Sequence, residues 1–235
     1  MRSFVVKFAL VCAVAMVVCG CGQTVTDALA AGEMHVYIDI KDYHQGATQV
    51  AVHFGNGKGD TVEFVHGETI TCDGVYLKYD SGFFAHLFGY GAYTGQTPLQ
   101  PSGGAYTFVF TPKNGSPSTI SVPVVSAPIT SMQPGSGASV PVPTSAPLVV
   151  QYGPSGVSNS VIGGAATDSR GHLTLTFDLT DNGSARFDLS GFKDFQPGPG
   201  TLTLSRITSS KPSGTGFASA DVAYENITTE QITWS

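Results

Sequence analysis

From residue 34 to the end of the chain, apolar and polar residues alternate with a period of two. Met34, Val36, Ile38 and Ile40 stand on one parity, with His35, Tyr37, Asp39 and Lys41 on the other. Val50, Val52 and Phe54 repeat the pattern, as do Val75, Leu77 and Tyr79, and then Tyr106, Phe108 and Phe110. Leu173, Leu175, Phe177 and Leu179, interleaved with His172, Thr174, Thr176 and Asp178, are its clearest instance. Leu202 and Leu204, then Ala218, Ala220, Val222 and Tyr224, continue it. Successive side chains of a strand point to opposite faces, so this spacing predicts strands with an apolar face buried and a polar face wet. Turn signals separate them: Gly55-Asn56-Gly57, Lys113-Asn114-Gly115, Asp168-Ser169-Arg170-Gly171 and Asp181-Asn182-Gly183. No segment beyond residue 32 carries an amphipathic helical period, and the expected class is all-β.

The 235 residues suffice for two domains of about 100 residues each. Pro123, Pro128, Pro134, Pro141, Pro143 and Pro147 crowd one stretch together with Ser and Gly. Proline lacks a backbone donor, so such a stretch serves as a stiff spacer or an edge. It places a boundary between about Ser126 and Pro147. Within it, Ile129 to Val140 resembles the opening strand and turn of bacterial immunoglobulin-like or fibronectin type III-like modules: an aliphatic residue, a short gap, Pro134, then a glycine turn at Gly135 and Gly137. Pro101-Ser102-Gly103-Gly104-Ala105-Tyr106-Thr107-Phe108 and Pro197-Gly198-Pro199-Gly200-Thr201-Leu202-Thr203-Leu204 share one pattern, a loop closed by Pro and Gly that feeds a half-buried strand. The pattern also resembles late strands of immunoglobulin-like sandwiches, which makes Tyr106 a candidate corner tyrosine. The resemblance implies two tandem immunoglobulin-like antiparallel β-sandwiches, at 33–126 and 127–235, joined by the Pro/Ser/Gly-rich linker.

The amino terminus carries an address. Arg2 and Lys7 precede an uninterrupted apolar run, Phe8 to Val18. That run is too short for a membrane-spanning helix, which needs about 20 residues, and suits the apolar region of a secretory signal. Val18-Cys19-Gly20-Cys21 closes it and resembles the lipobox of bacterial lipoproteins. The resemblance implies a signal peptide over 1–20, cleavage before Cys21, acylation of Cys21 so that membrane lipid holds the chain, and a tether over 21–32. Gly22 follows in place of the aspartate that often marks inner-membrane retention, which favours the outer membrane in a cell that has one. Ala28-Leu29-Ala30 before Ala31 offers an ordinary signal-peptidase site as the alternative.

Charge narrows the partners. Lys and Arg number 11 against 17 Asp and Glu, a net charge of −6, and loss of Arg2 and Lys7 makes the chain more acidic still. Nucleic-acid binding is dominated by phosphate neutralisation, so an acidic, lysine-poor chain argues against that class.

Catalytic signatures are sparse. Of the four cysteines, at 12, 19, 21 and 72, the lipoprotein reading leaves Cys72 as the one free thiol, placed in a strand-like segment as a small buried hydrophobe. The histidines at 35, 44, 53, 66, 86 and 172 lack metal-ligand spacing; His35 and His172 fall on polar strand faces, while His53, His66 and His86 are the weak candidates for convergence. Asp178, Asp181 and Asp188 lie near turns without the ligand ladder of a calcium loop. Gly-x-Ser-x-Gly is absent. No catalytic residue, metal or cofactor is expected.

One segment stands out, Phe83 to Tyr93, in which Phe83, Phe84, Phe88, Tyr90 and Tyr93 are interspersed with glycines. These rings either fill the first core or form a platform for sugar rings or a protein partner. The expected function is therefore a non-catalytic, lipid-anchored envelope protein whose sandwiches act as spacer and protein-interaction or adhesion modules. The alternative is a surface module binding carbohydrate or another envelope ligand through residues 83–93.

Overall fold

The computed structural model describes residues 24–25, 29–80, 91–154, 156–157, 160–178 and 180–235. Ten strands come first: β1 (Thr24–Val25), β2 (Met34–Asp42), β3 (Ala47–Asn56), β4 (Thr61–Val62), β5 (Thr69–Cys72), β6 (Val75–Tyr76), β7 (Lys78–Asp80), β8 (Ala92–Pro98), β9 (Ala105–Thr111) and β10 (Ser118–Pro123). Eight follow: β11 (Met132–Gln133), β12 (Ser139–Val140), β13 (Leu148–Tyr152), β14 (Ser160–Asp168), β15 (Leu173–Asp178), β16 (Ser184–Phe187), β17 (Gly198–Ser210) and β18 (Ser219–Trp234). Two 3-10 turns, Ala31–Glu33 and Leu189–Phe192, complete the described elements, and the protein is all-β. No helix among the described residues is long and apolar enough to cross a membrane.

Two compact units divide the chain, and they are not consecutive segments. The first runs to Lys41 and resumes over Gln45–Val125 and Ser210–Tyr224; the second is Asp42–His44, Ser126–Ser209 and Glu225–Ser235. The last long strand, β18, thus begins in one unit and ends in the other.

In the first unit, β8 pairs antiparallel with β3 and β7, while β10, β9, β5 and β6 form a second sheet. The predicted inward residues Met34, Val36, Ile38, Ile40, Val50, Val52 and Phe54 meet Ile70, Phe108, Phe110 and Ile120 in one core. The gap between Val36, Phe54, Phe110 and Phe217 is too small to hold a water molecule. Close packing of this kind gives the sheets a fixed spacing. Tyr106 is fully buried; its hydroxyl accepts from the Gln100 N–H at 3.3 Å and shares a 2.7 Å hydrogen bond with Thr48. These two bonds tie the loop before β9 and strand β3 to the Tyr106 ring. A hairpin turn at Asp73 and Gly74, both at positive φ, reverses β5 into β6, and Asp73 accepts from Thr107 N–H and the Gln100 amide.

In the second unit, β14 lies between β15 and β17, and β13 lies between β11 and β16. Val150, Tyr152, Ile162, Phe187, Phe192, Leu202, Leu204 and Trp234 fill the space between. The proline-rich stretch is built into this core: Ile129, Met132 and Val140 are buried, and β12 pairs in parallel with the end of β18 at Val140↔Trp234. That pair and the parallel β1–β4 contact depart from a purely antiparallel expectation. Gly200 permits the closing contact, because a Cβ there would stand 2.2 Å from Trp234 Nε1, which donates to Thr167 O at 2.8 Å.

One sequence expectation inverts. Leu173 and Leu175 are 55% and 52% exposed, whereas Thr174 is 7% exposed. The inner side of β15 is occupied closely: a Cβ on Gly191 would meet Thr174 Oγ1 at 1.9 Å, and Thr176 donates to Arg186 O. Only a short side chain fits there, so threonine turns inward and leucine outward. Leu179 lies outside the described residues.

Candidate ligand groove on the first unit

Alternation that sends Val36, Ile38 and Ile40 into the core necessarily sends Tyr37, Asp39 and Lys41 to the opposite face of β2. On β3 the same parity turns exposed Gln49 and half-buried Ala51 outward; on β8 it does so for half-buried Thr94 and exposed Gln96. Register aligns these residues, with Gln49 opposite Gln96 and Ala51 opposite Thr94. Lys78 of β7 stands opposite Thr94, and Asp80 opposite Ala92. Ala51 is the small residue among long ones, and a depression forms over it. The resulting groove has a volume of about 280 Å³ and is lined by Asp39, Lys41, Gln49, Asp80, Thr94 and Gln96.

Asp39 and Lys41 form an ion pair across the lining at 3.2 Å, with their side chains only 15% and 27% exposed. The lining offers carboxylate acceptors, an ammonium donor, two amides that both donate and accept, and a hydroxyl. Tyr37 lies two residues from Asp39 on the same face and is 44% exposed.

Other polar clusters are structural. Arg206 is completely buried in the second unit. Its Nε and Nη2 grip Asp181 at 2.7 and 3.3 Å, Nη1 donates to Ala127 O and Pro128 O, and Nη2 also donates to Gly153 O. Asp181 in addition accepts from Ser160 at 2.8 Å, so its carboxylate is consumed by the fold and not free for calcium. Asp168 accepts from Arg170 N–H, His172 N–H, Gln196 N–H and His172 Nδ1. Burial alone would push the Asp168 carboxyl up, but these hydrogen bonds, the His172 ring foremost, prevail and hold it well below the usual carboxylate range. His172, on a polar strand face, keeps its side chain 38% exposed while it braces the β14–β15 turn, its ring 6.4 Å from that of Phe195.

Cys72 is buried as expected, its thiol pushed up to about 12 by desolvation, with the neighbouring Asp73 charge adding and a Thr97 hydrogen bond opposing. A thiol so placed is no nucleophile near neutral pH. His53 is buried and donates through Nδ1 to Gly91 O at 2.9 Å; desolvation lowers its pKa, against the raising effect of that bond. His66 lies on an exposed stretch, and His86 lies outside the described residues. Among the described residues, no group of three or more His, Cys, Asp or Glu is placed to hold a metal ion.

Of the sequence-predicted site residues, Cys21, Phe83, Phe84, Phe88 and Tyr90 lie outside the described residues. Tyr93 is described and is a core residue: its ring stacks on Phe64 at 4.6 Å and meets Phe54 edge-on at 5.8 Å. With its ring faces covered by neighbours, Tyr93 leaves the ligand-contacting set. Sequence reading did not single out Asp39, Asp80, Gln49 or Gln96. The outward parity of Asp39 was visible, but neither the strand carrying Gln96 nor the cross-strand register that gathers these residues was. No family model matches the chain, and no curated protein matches it.

Proposed function

We propose that the chain is a non-catalytic, lipid-anchored protein of a bacterial cell envelope, whose two immunoglobulin-like β-sandwich units serve as spacer and protein-interaction or adhesion modules. The observation that carries this reading is the apolar run Phe8 to Val18 closed by Val18-Cys19-Gly20-Cys21. Acyl chains on Cys21 would hold the chain at the membrane, since a single chain binds only marginally and several bind durably. The corner hydrogen bond of Tyr106 supports the immunoglobulin-like reading of the first unit. The engagement of Asp168, His172, Asp181 and Arg206 in turns and core supports a scaffold rather than a reaction centre.

The test is the intact mass of the mature protein from its native membrane beside a Cys21→Ala version. A diacylglyceryl-sized increment on Cys21, lost together with membrane association in the variant, is the expected result. An unmodified soluble chain cut elsewhere, such as after Ala30, would sink the anchor.

A further inference from the structure

We infer that Asn114 is a site of spontaneous covalent modification, closing a cyclic imide with the Gly115 nitrogen that water opens to isoaspartate or aspartate. Asn-Gly occurs three times in the chain, at 56–57, 114–115 and 182–183. Glycine carries no Cβ, so its nitrogen is the least shielded nucleophile that can follow an asparagine. In the reaction that nitrogen bonds to the asparagine Cγ, and the Cγ–Nδ2 bond breaks. Nδ2 leaves as ammonia, taking the proton of the glycine N–H. Water then adds to one of the two imide carbonyls. Opening at the main-chain carbonyl leaves the chain linked through Cγ, as isoaspartate; opening at Cγ gives aspartate. Water is the co-reactant, ammonia the by-product, and nothing is oxidised or reduced.

The fold separates the three pairs. Attack requires the asparagine side chain and the following peptide to turn toward each other, so whatever holds either one slows it. Asn56 is held on every side. Its Oδ1 accepts from Lys58 N–H at 2.9 Å and Asp60 N–H at 3.0 Å, and its Nδ2 donates to Asp60 at 3.0 Å. Its carbonyl also accepts from Gly59 N–H at 3.0 Å. Asn182 is held less firmly. Its Oδ1 accepts from Ser184 N–H at 3.1 Å, the local bond by which asparagine shapes a turn, and Gly183 O accepts from Tyr152 N–H at 2.9 Å. Asn114 is exposed, as are Lys113, Gly115 and Ser116 around it. Among the described residues nothing hydrogen-bonds the Asn114 side chain or the Gly115 N–H. Both lie in the loop beyond Phe110↔Ser118, the last pair of the β9–β10 ladder, so the ladder does not restrain them. Isoaspartate there would add one carbon to the backbone of an exposed loop and one negative charge to an acidic chain, while Ile120 and Val122 stay in the core.

The experiment incubates the folded full chain in mildly alkaline buffer and follows each asparagine by peptide mapping and mass spectrometry. Trypsin places the three sites on separate peptides, because Lys58, Lys113, Arg170 and Arg186 stand between or beside them. Breaking one restraining hydrogen bond slows attack by up to about tenfold, so Asn114 should convert about tenfold or more faster than Asn182, with Asn56 slowest. Isoaspartyl methyltransferase labelling of the whole chain should rise with the same rate. In Asn114→Gln, where closure would need a larger ring, most of that label should vanish. A parallel incubation in urea removes the fold, and there the three rates should converge. No conversion at Asn114 in the folded chain overturns the proposal. So does conversion at Asn56 or Asn182 as fast as at Asn114, or an unchanged label in Asn114→Gln. A rate order that persists in urea overturns it too, because the restraint would then not come from the fold.

Discussion

Arg206 has the parity of Leu202 and Leu204, so strand alternation alone turns it toward the core of the second unit. A guanidinium has five N–H donors in a fixed fork, and here every one finds an oxygen: two on Asp181 and three backbone carbonyls. Those carbonyls belong to Ala127, Pro128 and Gly153, so one side chain ties the beginning of the unit to the turn after β13. Arg206→Lys retains the charge but not the fork, leaving Asp181 and buried carbonyls short of donors. The expected loss is about 3–5 kcal/mol, read from the urea midpoint of unfolding at unchanged slope. A loss within about 0.5 kcal/mol would mean that water replaces the fork. Asp168 shares the inward parity of Ile162 and Ala166, and Asp42 that of Met34 through Ile40. A charge at an inward strand position was therefore a readable signal for all three. The partners of Arg206 were not readable, because they come from turns remote in sequence, whereas Asp168 and Asp42 take partners from the turn that follows each, at Arg170, His172 and His44.

Strand β15 shows where periodicity stops being sufficient. Alternation states that Leu173 and Leu175 share one face and Thr174 and Thr176 the other; it does not state which face is inside. Hydrophobicity assigns the leucines to the core, and the structure assigns the threonines, because Gly191 approaches Thr174 too closely for a larger side chain. The contrast predicts opposite outcomes for adjacent substitutions. Leu175→Lys should change stability by no more than about 0.5 kcal/mol, as an exposed position does. Thr174→Leu, though it restores the hydrophobic pattern, should cost about 1–3 kcal/mol by overpacking. Thermal melts of the two variants decide it, and the reverse ranking would return the leucines to the core. Elsewhere the parity rule and the burial agree, as in β2, β9 and β17, where the inward space accepts large side chains. The groove follows from the same rule: outward residues of β2 were legible in the sequence, β8 was not marked as a strand there, and only register makes the residues of β3 and β8 neighbours.

At the scale of the whole chain, period-two patterning fixes faces and leaves pairing open. Nothing in Ala218 to Tyr224 tells which unit these residues serve, since an amphipathic strand fits either core. The structure gives Ser210–Tyr224 to the first unit, where Ala220, Val222 and Tyr224 are buried with Met34 and Ile38, and Ala218 N–H donates to Met34 O at 2.9 Å. The composition shift near Pro128 marks one crossing between units; a later one, at Ser209 and Ser210, opens a shorter Ser/Pro/Gly stretch, Ser209 to Gly216, that reads equally well as an ordinary turn between two strands. A fragment that ends at Val125 therefore lacks three core residues and leaves a row of apolar side chains uncovered. Fully burying a large apolar side chain contributes about 1.5–3 kcal/mol, and whole domains are stable by only about 5–15 kcal/mol. Such a fragment is expected to lose the cooperative unfolding transition of the full chain and to bind a hydrophobic dye. Circular dichroism melts of the fragment and the full chain make the comparison. A sharp melt for the fragment at the temperature of the full chain would mean that the returning segment contributes little to that core. A fragment that melts cooperatively only when a separate 210–235 peptide is added would establish that closure of the first core waits on the end of the chain.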